Sequence, residues 1–80
     1  NPATTIRYKL PERSAVSLKI FNILGREVLT LVNEVQSAGS HSVIFDAKNN
    51  KQSYSLASGV YFYRLQAGNF IQTRKMILLK

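Results

Sequence analysis

The chain has 80 residues, no cysteine, and eleven lysines and arginines against four acids, a formal charge of +7. That length allows one domain with a small core, and the lack of cysteine excludes disulfides and thiolate metal sites as its source of stability. The basic balance favours acidic partners or a merely soluble surface, but no run of basic residues exceeds two, so there is no polybasic tail.

Alternation with period two runs through most of the chain. In Thr5–Leu10, Ile6, Tyr8 and Leu10 share one face and Thr5, Arg7 and Lys9 the other, a half-buried strand that Pro11 ends because proline cannot donate to a ladder. Val16–Ile20 repeats the pattern with Val16, Leu18 and Ile20 inward. Asn22-Ile23-Leu24-Gly25 reads as a tight connection to a third strand, Glu27–Val32. The adjacent pairs Val28-Leu29 and Leu31-Val32 leave its buried face unassigned. Leucine content makes Val28–Val35 the best helical candidate, but the flanking glycine and the β-branched residues favour a strand.

Residues 34–40 read as a loop around Ala38-Gly39, followed by a strand over His41–Asp46 with Val43 and Phe45 inward. The polar stretch Ala47–Ser53 is a surface loop, with a brief edge strand near Tyr54–Leu56. Gly59 opens the strongest strand, Val60–Gln66. Ala67-Gly68-Asn69 is a hairpin turn, and Phe70–Leu79 is the final strand. In that strand either Met76 and Leu78 or Ile77 and Leu79 pack inward. Several short strands at regular spacing, with turn signals between them, indicate an all-β sandwich or barrel.

Candidate chemistry is sparse. His41 is the only histidine, and Glu12, Glu27, Glu34 and Asp46 are dispersed, which does not supply three or four converging ligands. Ser40 and Ser42 flank His41, but neighbours in a strand face opposite ways, so a nucleophile–base pair is not expected and the chain is read as no enzyme, with no cofactor. Gly25, Gly39, Gly59 and Gly68 are spaced too widely for a phosphate loop and fit turns or strand starts. Tyr61, Phe62 and Tyr63 beside Arg64 could form a platform for sugar or single-stranded nucleic acid; the plainer reading places Tyr61 and Tyr63 in the core and Phe62 on the outer face. Apolar runs such as Met76-Ile77-Leu78-Leu79 are far shorter than the roughly 20 residues a spanning helix needs, and no membrane insertion and no nucleic-acid partner are expected. No signal peptide is present in these residues; an exported parent would carry one upstream.

The order of these segments resembles the type A C-terminal sorting domains of type IX secretion. The resemblance rests on Asn1-Pro2-Ala3-Thr4-Thr5-Ile6-Arg7-Tyr8, on Leu10-Pro11-Glu12, and on Ile23-Leu24-Gly25-Arg26-Glu27-Val28. Ala38-Gly39, Leu56-Ala57-Ser58-Gly59-Val60-Tyr61-Phe62 and Lys75-Met76-Ile77-Leu78-Leu79-Lys80 complete it. It covers essentially the whole chain. The chain is also similar to the immunoglobulin-like domain of the flagellar hook-capping protein, whose match usually stops before the basic, apolar tail.

The first resemblance implies an immunoglobulin-like sandwich of about seven strands: a single domain over residues 1–80, at the C-terminus of a larger exported protein of a Gram-negative bacterium. It implies recognition by the outer-membrane translocon, cleavage by a sorting peptidase upstream of Asn1, and delivery of an upstream catalytic or adhesive domain to the cell surface or medium. The residues expected to be recognised are Lys75, Met76, Ile77, Leu78, Leu79 and Lys80, with Leu24, Gly25, Gly39, Gly59 and Tyr61 as structural motif. The alternatives are an accessory module binding carbohydrate or another surface, or a structural domain packed on an upstream enzyme.

Overall fold

The structure is a computed structural model that describes residues 3–46 and 56–79. The described residues form six strands: β1 (Ala3–Leu10), β2 (Ser14–Phe21), β3 (Glu27–Gln36), β4 (Gly39–Asp46), β5 (Gly59–Ala67) and β6 (Phe70–Leu78). They form two antiparallel sheets, one of β1 and β4 and one in the order β3-β2-β5-β6. The segment read as a helical candidate is strand. The loop expected over residues 34–40 is shorter than that: β3 runs on to Gln36 and β4 begins at Gly39. Its polar residues pair along a sheet edge that has little to bury. The expected polar loop at Ala47–Ser53, with Tyr54 and Ser55 of the brief edge strand, lies outside the described residues.

The connectivity is that of an immunoglobulin-like sandwich. An immunoglobulin variable domain sets strands C′, C, F and G in one sheet, and B beside E in the other. Here β3-β2-β5-β6 takes the first order and β1-β4 the second. Among the described residues no strand takes the A or D position, which is why six are found where about seven were expected.

The core follows directly from the alternation. Ile6 and Leu10 of β1, Val16 and Leu18 of β2, Val32 of β3, and Leu65 and Ala67 of β5 fill one half of the space between the sheets. Ile20, Leu29, Phe45, Leu56, Tyr61, Met76 and Leu78 fill the other. Leu31 and Tyr63 touch both halves. Tyr8 ties the sheets together at one side: its hydroxyl donates to Oε1 of Gln36 in β3, and its ring stacks on His41 at 5.5 Å. Burial pushes the Tyr8 hydroxyl pKa up, an effect the Gln36 hydrogen bond partly opposes.

Two features at the ends of β5 set the frame. Tyr61, near the strand's start, donates its hydroxyl to the Ala57 carbonyl at 2.7 Å. This is the tyrosine corner, which locks the crossover between sheets in immunoglobulin-like domains. At the other end Gly68 has φ +58° and Asn69 has negative φ, so the two-residue β5–β6 turn is of type II′, whose first central position favours glycine.

Candidate functional site

The sheet of four strands has two edges, β3 and β6, and they are built differently. β3 shifts register against β2 twice, between Leu18 and Lys19 and between Ile20 and Phe21. Leu31 and Val28 are the extra residues at these bulges, and both turn partly into the core. Bulges of this kind twist an edge and spoil it as a template for another strand. β6 pairs with β5 through nine consecutive partners, Ala67 with Phe70 through Gly59 with Leu78, without a shift. Among the described residues no strand covers its other side.

The turn fixes which groups of β6 face that open side. In a two-residue hairpin the flanking pair, Ala67 and Phe70, exchanges both backbone hydrogen bonds, and such pairs then recur at every second residue. Gln72, Arg74, Met76 and Leu78 thus turn their N–H and C=O groups toward β5. Ile71, Thr73, Lys75 and Ile77 turn theirs to the free edge, and the side chains of this second set lie on the outer face of the sheet.

Side-chain burial follows the same split. Met76 and Leu78 are buried in the core, Leu78 to 1% exposure, whereas Lys75 is exposed and Ile77 and Leu79 remain 54% and 56% exposed. Of the two inward pairs left open by the sequence, the structure selects Met76 and Leu78, because Met76 sits opposite the inward-facing Tyr61. Of the six residues expected to be recognised, Lys75, Ile77 and Leu79 offer surface to a partner in the folded domain, while Met76 and Leu78 hold the strand in place. Lys80 lies outside the described residues.

Register brings further side chains beside Lys75 and Ile77. Phe62 is opposite Lys75 on one side and Phe21 on the other, and Val60 is opposite Ile77. The Arg64 guanidinium lies over the Phe21 ring, 4.8 Å from its centre. The outer face at this end of the sandwich is thus an aromatic and aliphatic strip edged by cations. Tyr61 and Tyr63 pack inward, so the three-aromatic platform is not formed and Phe62 alone faces out, next to Phe21. The outward phase of Val60, Phe62 and Arg64 was legible from alternation; Phe21 was not singled out, because it ends β2 where the pattern stops.

The structural-motif residues occupy defined places. Leu24 and Gly25 lie in the β2–β3 turn, Gly39 and Gly59 open β4 and β5, and Tyr61 makes the corner. Gly25, at φ +83°, stands in the left-handed region that other residues enter at a cost. His41 is engaged by its stacking on Tyr8 and by a 2.8 Å contact of Nε2 with the Ser37 carbonyl. Among the described residues no group of three or more histidine, cysteine, aspartate or glutamate side chains could hold a metal ion.

The chain is similar to the Ig1 domain of mouse SynCAM 2 at 15% identity and a TM-score of 0.43, over 95% of this chain and 79% of that one. Comparison with curated proteins gave no match. The family model for the secretion system C-terminal sorting domain matches residues 1–79. Matched by that model along nearly its whole length, the chain belongs to the family of secretion system C-terminal sorting domains of the type IX route.

Proposed function

We propose that the domain is recognised by the outer-membrane export machinery through β6, which receives a strand of the partner on its free edge. The observation that supports this reading is the contrast between the bulged β3 edge and the uninterrupted β6 edge. A strand added to an open edge gains main-chain hydrogen bonds, and side chains at alternate positions give selectivity. Here Lys75 and Ile77 would meet the partner's side chains on the outer face. The recognised parent protein crosses the outer membrane and reaches the surface or the medium, and a sorting peptidase then cuts upstream of Asn1. The domain itself performs no chemistry.

Proline substitution tests the edge. Lys75→Pro removes an N–H that points away from β5, and proline is tolerated on an edge strand in that orientation. The expected result is a folded domain, judged by its circular dichroism and urea midpoint, on a parent protein that stays in the periplasm. Glu34→Lys on the β3 edge serves as control and leaves delivery normal. Normal surface delivery of a Lys75→Pro parent would defeat the proposal.

A further inference from the structure

The most exposed large apolar side chains in the described structure are two neighbours, Ile23 at 72% and Leu24 at 78%. They form the tip of the β2–β3 hairpin, and the tip is rigidly built. The Asn22 side-chain oxygen accepts from the N–H groups of Leu24 and Arg26, both at 3.0 Å. The Asn22 carbonyl accepts from Gly25 N–H, and Asn22 N–H donates to the Arg26 carbonyl, both at 2.9 Å. An asparagine that organises a turn in this way holds the backbone of the tip, where the two apolar side chains stand exposed. A loop that merely joined two strands would gain nothing from presenting them.

The charge around the tip is predominantly positive. Arg26 is next to it in sequence and exposed. Lys75 stands level with the last rung of β2, across Phe62 from Phe21. Arg64 is one side-chain step lower, about 7 Å at strand spacing, over the Phe21 ring. The acid beside them, Glu27, is engaged by Lys19 at 3.1 Å; the other acid at this end, Asp46, belongs to the second sheet. Apolar side chains at an apex with cations set behind them on the same end of the sheet match the layering of an anionic lipid surface, where acyl chains lie beneath phosphate groups.

We propose that the Asn22–Arg26 turn is a lipid-contacting tip: Ile23 and Leu24 enter the boundary between headgroups and acyl chains of an anionic membrane, while Arg26, Lys75 and Arg64 face its phosphates. This is a peripheral contact one turn deep. Hydropathy along the chain bears on spanning segments only, and a two-residue tip escapes it. The contact is distinct from the free edge of β6 and does not depend on strand docking.

The chain contains no tryptophan, so Leu24→Trp places a single reporter at the tip. With vesicles of phosphatidylcholine and phosphatidylglycerol the tryptophan emission is expected to move to the blue, and to return on adding salt. With phosphatidylcholine alone the shift should be small. Phe70→Trp, an exposed position at the opposite end of the sandwich, should not shift. In co-sedimentation of the chain without a reporter, changing both Ile23→Ser and Leu24→Ser should lower partitioning by about tenfold, as expected when binding scales with buried apolar area. No blue shift on anionic vesicles, an equal shift on neutral ones, or undiminished sedimentation of the serine variant would each overturn the proposal; the first would fit a tip covered by another part of the parent protein. Export machinery is absent from these assays, so they stand or fall apart from the edge-docking test.

Discussion

The two edges of the larger sheet face the same hazard and meet it differently. An uncovered strand invites pairing with any extended chain, and proteins blunt such edges with bulges, charges or proline. β3 carries two bulges in ten residues and a local clasp in which Glu27 receives both Lys19 and the Thr30 hydroxyl. β6 has no bulge and no proline, and its free-edge residues include Lys75 but also Ile71 and Ile77. The proposed docking would make use of the smooth edge. In the proposed docking Lys75 would make pairing selective, because it disfavours a partner with a cation opposite it.

The largest effect that sharpens this comparison concerns how firmly each edge is anchored. Leu29 in β3 and Leu78 in β6 both belong to the same half of the core and are almost fully buried. Leu29→Ala and Leu78→Ala should each destabilise the domain by about 2–5 kcal/mol, the usual range for deleting a buried leucine side chain. Urea unfolding at neutral pH measures this directly. Equal losses place the difference between the edges in backbone exposure alone. A loss at Leu78 below about 1 kcal/mol, well under the range for a buried leucine, would mean that β6 is loosely held, and the open edge would then be a fraying strand instead of a docking site.

A smaller effect concerns the strand that supports β6. Tyr61 serves β5 twice, packing its ring against Met76 and Leu78 and donating its hydroxyl to Ala57. Tyr61→Phe keeps the packing and removes the hydrogen bond, with an expected cost of about 1 kcal/mol. It should lower the urea midpoint without changing the slope. An unchanged midpoint would show that the corner contributes nothing and that packing alone sets where β5 begins.

These same residues show what was legible before the structure. β1, β2, β4 and β5 keep strict alternation, and their inward residues were readable one by one. β3 was not, and the reason is physical: each bulge puts two residues against one on the partner and so changes the phase of the pattern. Val28-Leu29 and Leu31-Val32 look like conflicting faces, yet all four reach the core because Val28 and Leu31 are the bulged residues. Glu34–Gln36 carried only one apolar residue, Val35, which stays 55% exposed, because an edge strand that extends past the core pairs its backbone without burying its side chains. The choice between Met76 and Ile77 was equally closed to local reading. It depends on register against Tyr61, and register depends on the position of a two-residue turn. The segment proposed for recognition was chosen by resemblance, and its division into buried and exposed residues needed the pairing.

The smallest effect lies in the β3 clasp. Hydrogen bonding from Lys19, then from Thr30, lowers the pKa of Glu27 below its ordinary value. A carboxyl whose pKa is depressed in the folded state stabilises the fold above its unfolded pKa and loses that contribution as pH falls through the folded value. The clasp should thus be fully present at neutral pH and disappear in the acid range below the ordinary glutamate pKa. Glu27 is exposed and its ion pair with Lys19 is screened, so the effect on global stability is slight. Its measurable consequence is local. Amide exchange at the start of β3 should quicken on acidification, beyond the intrinsic change in rate, in the native chain but not in Glu27→Gln, while exchange along the β5–β6 ladder stays the same in both. Acid-induced loosening shared equally by β3 and β6 would remove the clasp as a reason why β3 stays closed to partners, and would leave the two bulges alone to account for it.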